Sequence, residues 1–145
     1  MEVFCDAALG KLHDTDTVTA NICFIKGKNG LMNVIDWNSS KLQIPTASIL
    51  AGEAEAAMDA HGKVRYFRHI FNELFEKTLM AVIFTDSKSL HAAVNSDNLI
   101  KNRGIAVAVA TIRAMREKEH VDVHWTSVSD QLANSLTKGT ASPFM

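Results

Sequence analysis

The chain has 145 residues, 47% of them hydrophobic and 21% charged, with 15 basic and 16 acidic side chains, 7 Gly and 2 Pro. That balance excludes a disordered or collagen-like chain and a bulk polyelectrolyte binder, and suits one soluble globular domain around a single core. No apolar run nears the ~20 residues of a membrane span, and Met1-Glu2-Val3-Phe4-Cys5-Asp6 lacks the basic-then-apolar pattern of a secretory leader. Two cysteines, Cys5 and Cys23, make neither a disulfide framework nor a zinc site. They are expected to be reduced core residues of an intracellular protein, in a cytoplasmic particle or the nucleus, with no membrane partner.

In chain order, Val3-Phe4-Cys5 predicts a first strand ending at Asp6-Ala7-Ala8. The β-branched, partly alternating stretch 17–25 predicts a second strand. Lys26-Gly27-Lys28-Asn29-Gly30 is turn chemistry, and 31–37 pairs back as a third strand. From about 48 to 77 the apolar period becomes helical, with Gly62 weakening the middle. The continuous apolar run 79–84 predicts a strand buried on both faces. Helices follow over 87–94 and 105–118, a last strand over 121–125, and a closing helix over 130–137. Residues 1–138 form the domain and 139–145 a frayed tail. Three hairpin-linked strands followed by β-α units imply an α/β fold. Its five-stranded mixed sheet has three antiparallel strands, then two parallel, and helices on both faces.

The acids are informative. The strands before Asp6 and Asp86 both stop on a carboxylate. In open α/β sheets ligands gather outside the carboxyl ends of strands, at a switch in strand order. If the first and fourth strands are parallel neighbours, Asp6 and Asp86 lie side by side. Each alone also reads as a cap or turn residue. On the long helix, positions 53, 57, 60, 64, 67, 71 and 74 form one apolar stripe with Glu53 at its N-terminal end, whereas Glu55 shares a polar face with Asp59 and Tyr66. A carboxylate on a core-facing stripe needs a partner, and a cation is the obvious one. The plainer alternative is that Glu53 sits at the helix start and favours the dipole. Asp130 opens the last helix, where alone it reads as an N-cap. Four acids at element ends, with no Cys/His set at zinc spacing, suggest Mg²⁺. Two such ions about 4 Å apart hold a phosphodiester in line, one activating water and the other stabilising the leaving oxygen. Setting those four aside leaves 12 acids against 15 bases, a net of +3 that accepts a polyanion modestly.

At these residues the sequence resembles the ribonuclease H domain of copia-type LTR retrotransposon polyproteins, over nearly the whole chain. The pieces are Phe4-Cys5-Asp6-Ala7; Trp37-Asn38-Ser39-Ser40-Lys41-Leu42-Gln43 leading to Gly52-Glu53-Ala54-Glu55-Ala56; Phe84-Thr85-Asp86-Ser87-Lys88-Ser89-Leu90; and Asp130-Gln131-Leu132-Ala133-Asn134-Ser135-Leu136-Thr137-Lys138. The last is the most specific, departing from the family pattern only at Asn134. The resemblance implies an Asp-Glu-Asp-Asp site of Asp6, Glu53, Asp86 and Asp130 holding two Mg²⁺ ions, with Mn²⁺ able to substitute. It implies hydrolysis of the RNA strand of an RNA/DNA hybrid to 5′-phosphate and 3′-hydroxyl products. Asp6 would bridge both ions, Asp130 would help hold the water-activating one, and Glu53 and Asp86 the leaving-group one. A covalently linked reverse transcriptase is the expected neighbour in the polyprotein.

Two departures stand out. The loop His of many relatives, about ten residues before the last Asp, has only His124 as a candidate here. His124 falls inside a predicted strand, where a structural role is the simpler reading. No dense basic helix follows Asp86: Lys88, Lys101, Arg103, Arg113, Arg116 and Lys118 are scattered, so the tethered polymerase would supply much of the grip. Small residues at Ala7 would let a ribose approach, or simply pack, and the 2′-hydroxyl marks RNA. Ser87 and Ser89, at a helix start, would accept a phosphate or merely cap. Two competing classes are an inactive ribonuclease-H-like binding or scaffolding module and a related integrase-type transferase.

Overall fold

Alternation in the first third builds a meander: β1 (Glu2–Leu9), β2 (Thr17–Lys26) and β3 (Met32–Lys41). The computed structural model describes residues 1–9, 16–43, 46 and 48–138; the tail expected over 139–145 lies outside them. After the meander come α1 (Ile49–Phe75), β4 (Ala81–Thr85), α2 (Lys88–Asn95), α3 (Arg103–Glu119) and β5 (Val121–Trp125). A 3-10 turn at Val128–Asp130 and a one-turn helix, α4 (Asn134–Thr137), close the chain. The sheet order is β3-β2-β1-β4-β5. β1–β2 and β2–β3 are antiparallel, and β1–β4 and β4–β5 are parallel. Among the described residues no helix is long and apolar enough to cross a membrane.

Successive strand residues point to opposite faces, and β1 shows the result. Val3 and Cys5 join the main core with Ala57, Ala60 and Val64 of α1, Leu90 and Val94 of α2, and Val109 and Ile112 of α3. Phe4 points the other way, into a smaller cluster with Phe24 and Ala133. Helices therefore lie on both faces, but unequally: α1, α2 and α3 on one side and α4 on the other. Both cysteines are free and buried, and burial raises both thiols, Cys23 to about 12.

Four expectations need correction. β1 does not stop at Asp6; β2 goes on pairing with it to Leu9, opposite Thr17. Only the parallel ladder with β4 stops short, at Phe4 opposite Phe84. The run 79–84 is not buried on both faces, since Val82 and Phe84 are half-buried and Met80 is 78% exposed. The α1 stripe is buried only through Val64, and Leu74 is exposed. A 27-residue helix is about 40 Å long, and it overruns a sheet whose parallel strands β4 and β5 are only 5 residues long. Finally, Asp130 does not open a helix: it ends the 3-10 turn, and α4 begins only at Asn134.

Candidate metal centre

Parallel register brings the first two acids together. Phe4 is level with Phe84, so two residues further along the same direction Asp6 is level with Asp86, just past the end of β4. Asp6 remains in a strand because β2 holds it opposite Ala20. Asp86 is fixed from the next strand: the indole Nε1 of Trp125 donates to its carbonyl at 3.2 Å.

The third acid comes from α1. Ser48 caps this helix, its hydroxyl accepting from the Ala51 amide at 3.1 Å. The first turn lies hard against the sheet at Gly52. A Cβ there would come within 3.1 Å of Thr17 Cγ2 and 3.4 Å of Ala7 Cβ, so a larger residue would push the helix away. The close approach carries Glu53 to the strand ends, where it is 4% exposed. Glu53 is the fifth helical residue, and the first turn of α1 holds no acid, so the dipole does not account for it. Glu55 is exposed, as the stripe predicts.

Among the described residues, Asp6, Glu53 and Asp86 each offer a carboxylate oxygen, and these atoms lie within 4.8 Å of one another. Burial, reinforced by the charges of Asp6 and Asp86, pushes Glu53 up to about 8. Burial also raises Asp6, with the Thr137 hydroxyl acting against the rise and Asp86 adding to it. The Ala7 backbone amide opposes the rise at both. Glu53 Oε2 is buried with no hydrogen-bond partner. An orphaned, buried carboxylate oxygen facing two more carboxylates fits a hard divalent cation such as Mg²⁺, and that oxygen-only donor set is what such ions prefer.

The structure does not bring Asp130 into this group. It is exposed, and its Oδ2 accepts from Ser127 Oγ at 2.5 Å. His124 is exposed in β5, its ring edge-on to Phe84 with centroids 5.9 Å apart. Ser87 is used locally: its hydroxyl accepts from the Leu90 amide at 3.1 Å and caps α2. Ser89 is exposed on the first turn of that helix, and Ala7 is half-buried beneath Gly52. Arg113 and Arg116 of the scattered basic set are also committed, donating to carbonyls at the end of α2 such as Ala93 and Val94.

Two polar residues escaped the sequence reading. Gln131 is buried, and its amide nitrogen donates to the Cys5 carbonyl at 2.9 Å and, at 3.4 Å, to the Phe84 carbonyl, tying the ends of β1 and β4 together. Thr137 is buried, and its hydroxyl donates to Asp6 Oδ2. Their sole signal was that they are polar within a run that also holds Leu132, Ala133 and Leu136.

No sequence-family profile matches the chain, nor does any curated protein sequence. Solved structures do match. LC11-RNase H1 in complex with an RNA/DNA hybrid aligns with a TM-score of 0.68 at 12% identity, over 93% of this chain and 91% of that one. The N-terminal RNase H domain of rv2228c from Mycobacterium tuberculosis, solved as a fusion with maltose binding protein, aligns at 0.67 and 10% identity over 94% and 91%. The chain has the ribonuclease H fold. A Prototype Foamy Virus protease–reverse transcriptase aligns at 0.54 and 12% identity, over 94% of this chain but 20% of the viral one. The matches thus include both separately solved ribonuclease H structures and a viral protease–reverse transcriptase.

Proposed function

We propose that this chain is a ribonuclease H: it hydrolyses the RNA strand of RNA/DNA hybrids using two Mg²⁺ ions, as part of a copia-type retrotransposon polyprotein that also carries a reverse transcriptase. The observation that carries this reading is the orphaned Glu53 Oε2 in a trio with Asp6 and Asp86. Structural relatives include a ribonuclease H bound to hybrid and a protease–reverse transcriptase, which supports both the substrate and the linkage.

In this reading Asp6, level with Asp86 and beside Glu53, would be a ligand shared by both ions. Glu53 and Asp86 would hold the ion on the leaving-group side, and Asp130 would help hold the one on the water side. When bound, such ions activate water and stabilise the departing 3′-oxygen of the RNA strand. Binding a cation there would require Glu53 to give up the proton that burial otherwise favours. Trp125 keeps Asp86 in place through its carbonyl and carries Lys88 over its ring, with Nζ 5.2 Å from the centroid, at the edge of the site. Arg113 and Arg116 are committed to the end of α2, leaving, among the described residues, Lys138 beside Asp6 and Lys88 on Trp125 as the cations near the acids. Binding of hybrid by the isolated domain is therefore weak, and the polymerase supplies the rest.

The separation of Asp130 from the trio favours one other reading, a hybrid-binding module without turnover. Labelled RNA/DNA hybrid, duplex RNA and duplex DNA incubated with the protein, alone and fused to its polymerase, distinguish the two. The enzyme cuts only hybrid, needs Mg²⁺, stops with chelator and leaves 5′-phosphate ends. A folded fusion that binds hybrid without cutting it establishes the module instead.

A further inference from the structure

Every acid of the trio is explained by its own element, but the orientation of Asp6 is not. A carboxyl group turns easily about its last torsion, and from the β1 backbone it meets only the neighbouring Ala7 amide, which also serves Glu53. Its side-chain partner is Thr137, whose hydroxyl donates to Asp6 Oδ2 across 131 residues of sequence. The same hydroxyl lies 3.1 Å from the Asn134 carbonyl. It has a single proton, and a carboxylate is the stronger acceptor. The Asn134 carbonyl is served in any case by the Lys138 amide at 3.3 Å.

The hydroxyl is held on a rigid mount. Ser39 Oγ of β3 donates to the Leu136 carbonyl at 2.7 Å, and Gln131 ties the preceding loop to the Cys5 carbonyl, next to Asp6 itself. Ala133, fully buried, is wedged against the Phe4–Phe24 pair. α4 is one turn long and contributes little apolar burial, yet sheet hydrogen bonds and packing lock it to the face that carries Asp6.

We propose that Thr137 is a positioning residue for the metal centre, its hydroxyl clamping one oxygen of Asp6 so that the carboxylate is preset for divalent cations. This rests on the reading of Asp6 as a metal ligand. Partners of this kind, which touch a ligand rather than the metal, commonly govern affinity by roughly 10–100-fold.

The test compares Thr137→Val, which keeps the shape and removes the hydroxyl, with Thr137→Ser, which keeps the hydroxyl. Mg²⁺ and Mn²⁺ binding is measured by calorimetry on the intact chain, beside melting curves without metal. Thr137→Val is expected to lower the metal-free melting point, as loss of one buried hydrogen bond does, and to weaken metal binding about tenfold in protein that is fully folded at the assay temperature, while Thr137→Ser binds within about twofold of the parent. The Mg²⁺ concentration for half-maximal hybrid cleavage shifts in the same ratio, while hybrid affinity does not. Parental metal affinity in a folded Thr137→Val protein overturns the proposal, as does equal weakening by Val and Ser. If Val at 137 unfolds the domain, Thr137→Ala against Thr137→Ser decides in the same way. A parent chain that binds neither ion removes the metal centre and this proposal together, whereas an indifferent Thr137→Val beside a metal-binding parent removes only the clamp.

Discussion

The acidic trio and the Asp130 corner are built by different means. Asp6, Glu53 and Asp86 stand on or next to elements whose geometry is repetitive: a parallel ladder, an antiparallel ladder and a long helix capped by Ser48 and seated on Gly52. Asp130 stands on three residues of 3-10 turn before a one-turn helix, and its carboxylate is satisfied by the nearby Ser127 in open solvent. Regular elements can force charges together against their own repulsion, because the cost is spread over many hydrogen bonds and a packed core. A short turn has no such reserve, so its acid relaxes to a local partner. The trio is thus held together as a group that could hold a divalent cation, whereas Asp130 stays with its own local partner.

The largest difference should appear in turnover. Asp6→Asn is expected to reduce hybrid cleavage by about 1000-fold or more, because it removes the shared ligand from a site whose work is electrostatic. Asp130→Asn should lose less, about 10–100-fold, with calorimetric binding of Mg²⁺ to the trio retained. Equal losses in single-turnover assays would break the distinction.

Next in size is the pH dependence of the metal-free fold. The folded chain holds the Glu53 proton up to about 8, whereas the unfolded chain releases it near 4.5. Between those values the native state binds more protons than the unfolded one, so stability is full at the acid end and falls as pH rises toward 8. The fall is of the order of a few kcal/mol, shared with Asp6. Glu53→Gln should flatten the curve, as read by urea melts at several pH values. Saturating Mg²⁺ should restore stability most above pH 8, where no proton competes, and chelator should remove that gain.

The smallest effect concerns the strap between the two regions. Gln131→Ala leaves the Cys5 carbonyl without its buried donor and is expected to cost about 1–3 kcal/mol in denaturant unfolding. If the loss appears in metal affinity but not in stability, Gln131 serves the site rather than the sheet.

Much of this was legible in the residues alone. Periodicities of two and 3.6 placed five strands and the helices, because burying one face of each element imposes those spacings on the sequence. The stripe beginning at Glu53 singled it out over Glu55 for the same reason. Asp6 and Asp86 were visible as acids after apolar runs. Their meeting required the parallel pairing of β1 with β4, a contact between segments 80 residues apart that no local pattern encodes. The continuation of β1 past Asp6, the exposed end of α1, and the 3-10 turn at Asp130 were likewise decided by neighbours: β2 pairing, the shortness of β4, and the way the chain leaves β5. Gln131 and Thr137 lay in plain view within the most specific motif, yet their partners, the Cys5 carbonyl and Asp6, belong to the opposite end of the chain. Local sequence determines which face of each element is apolar. Which polar groups then face one another across elements is a property of the assembled sheet, where strand register and helix seating set distances that sequence spacing does not contain.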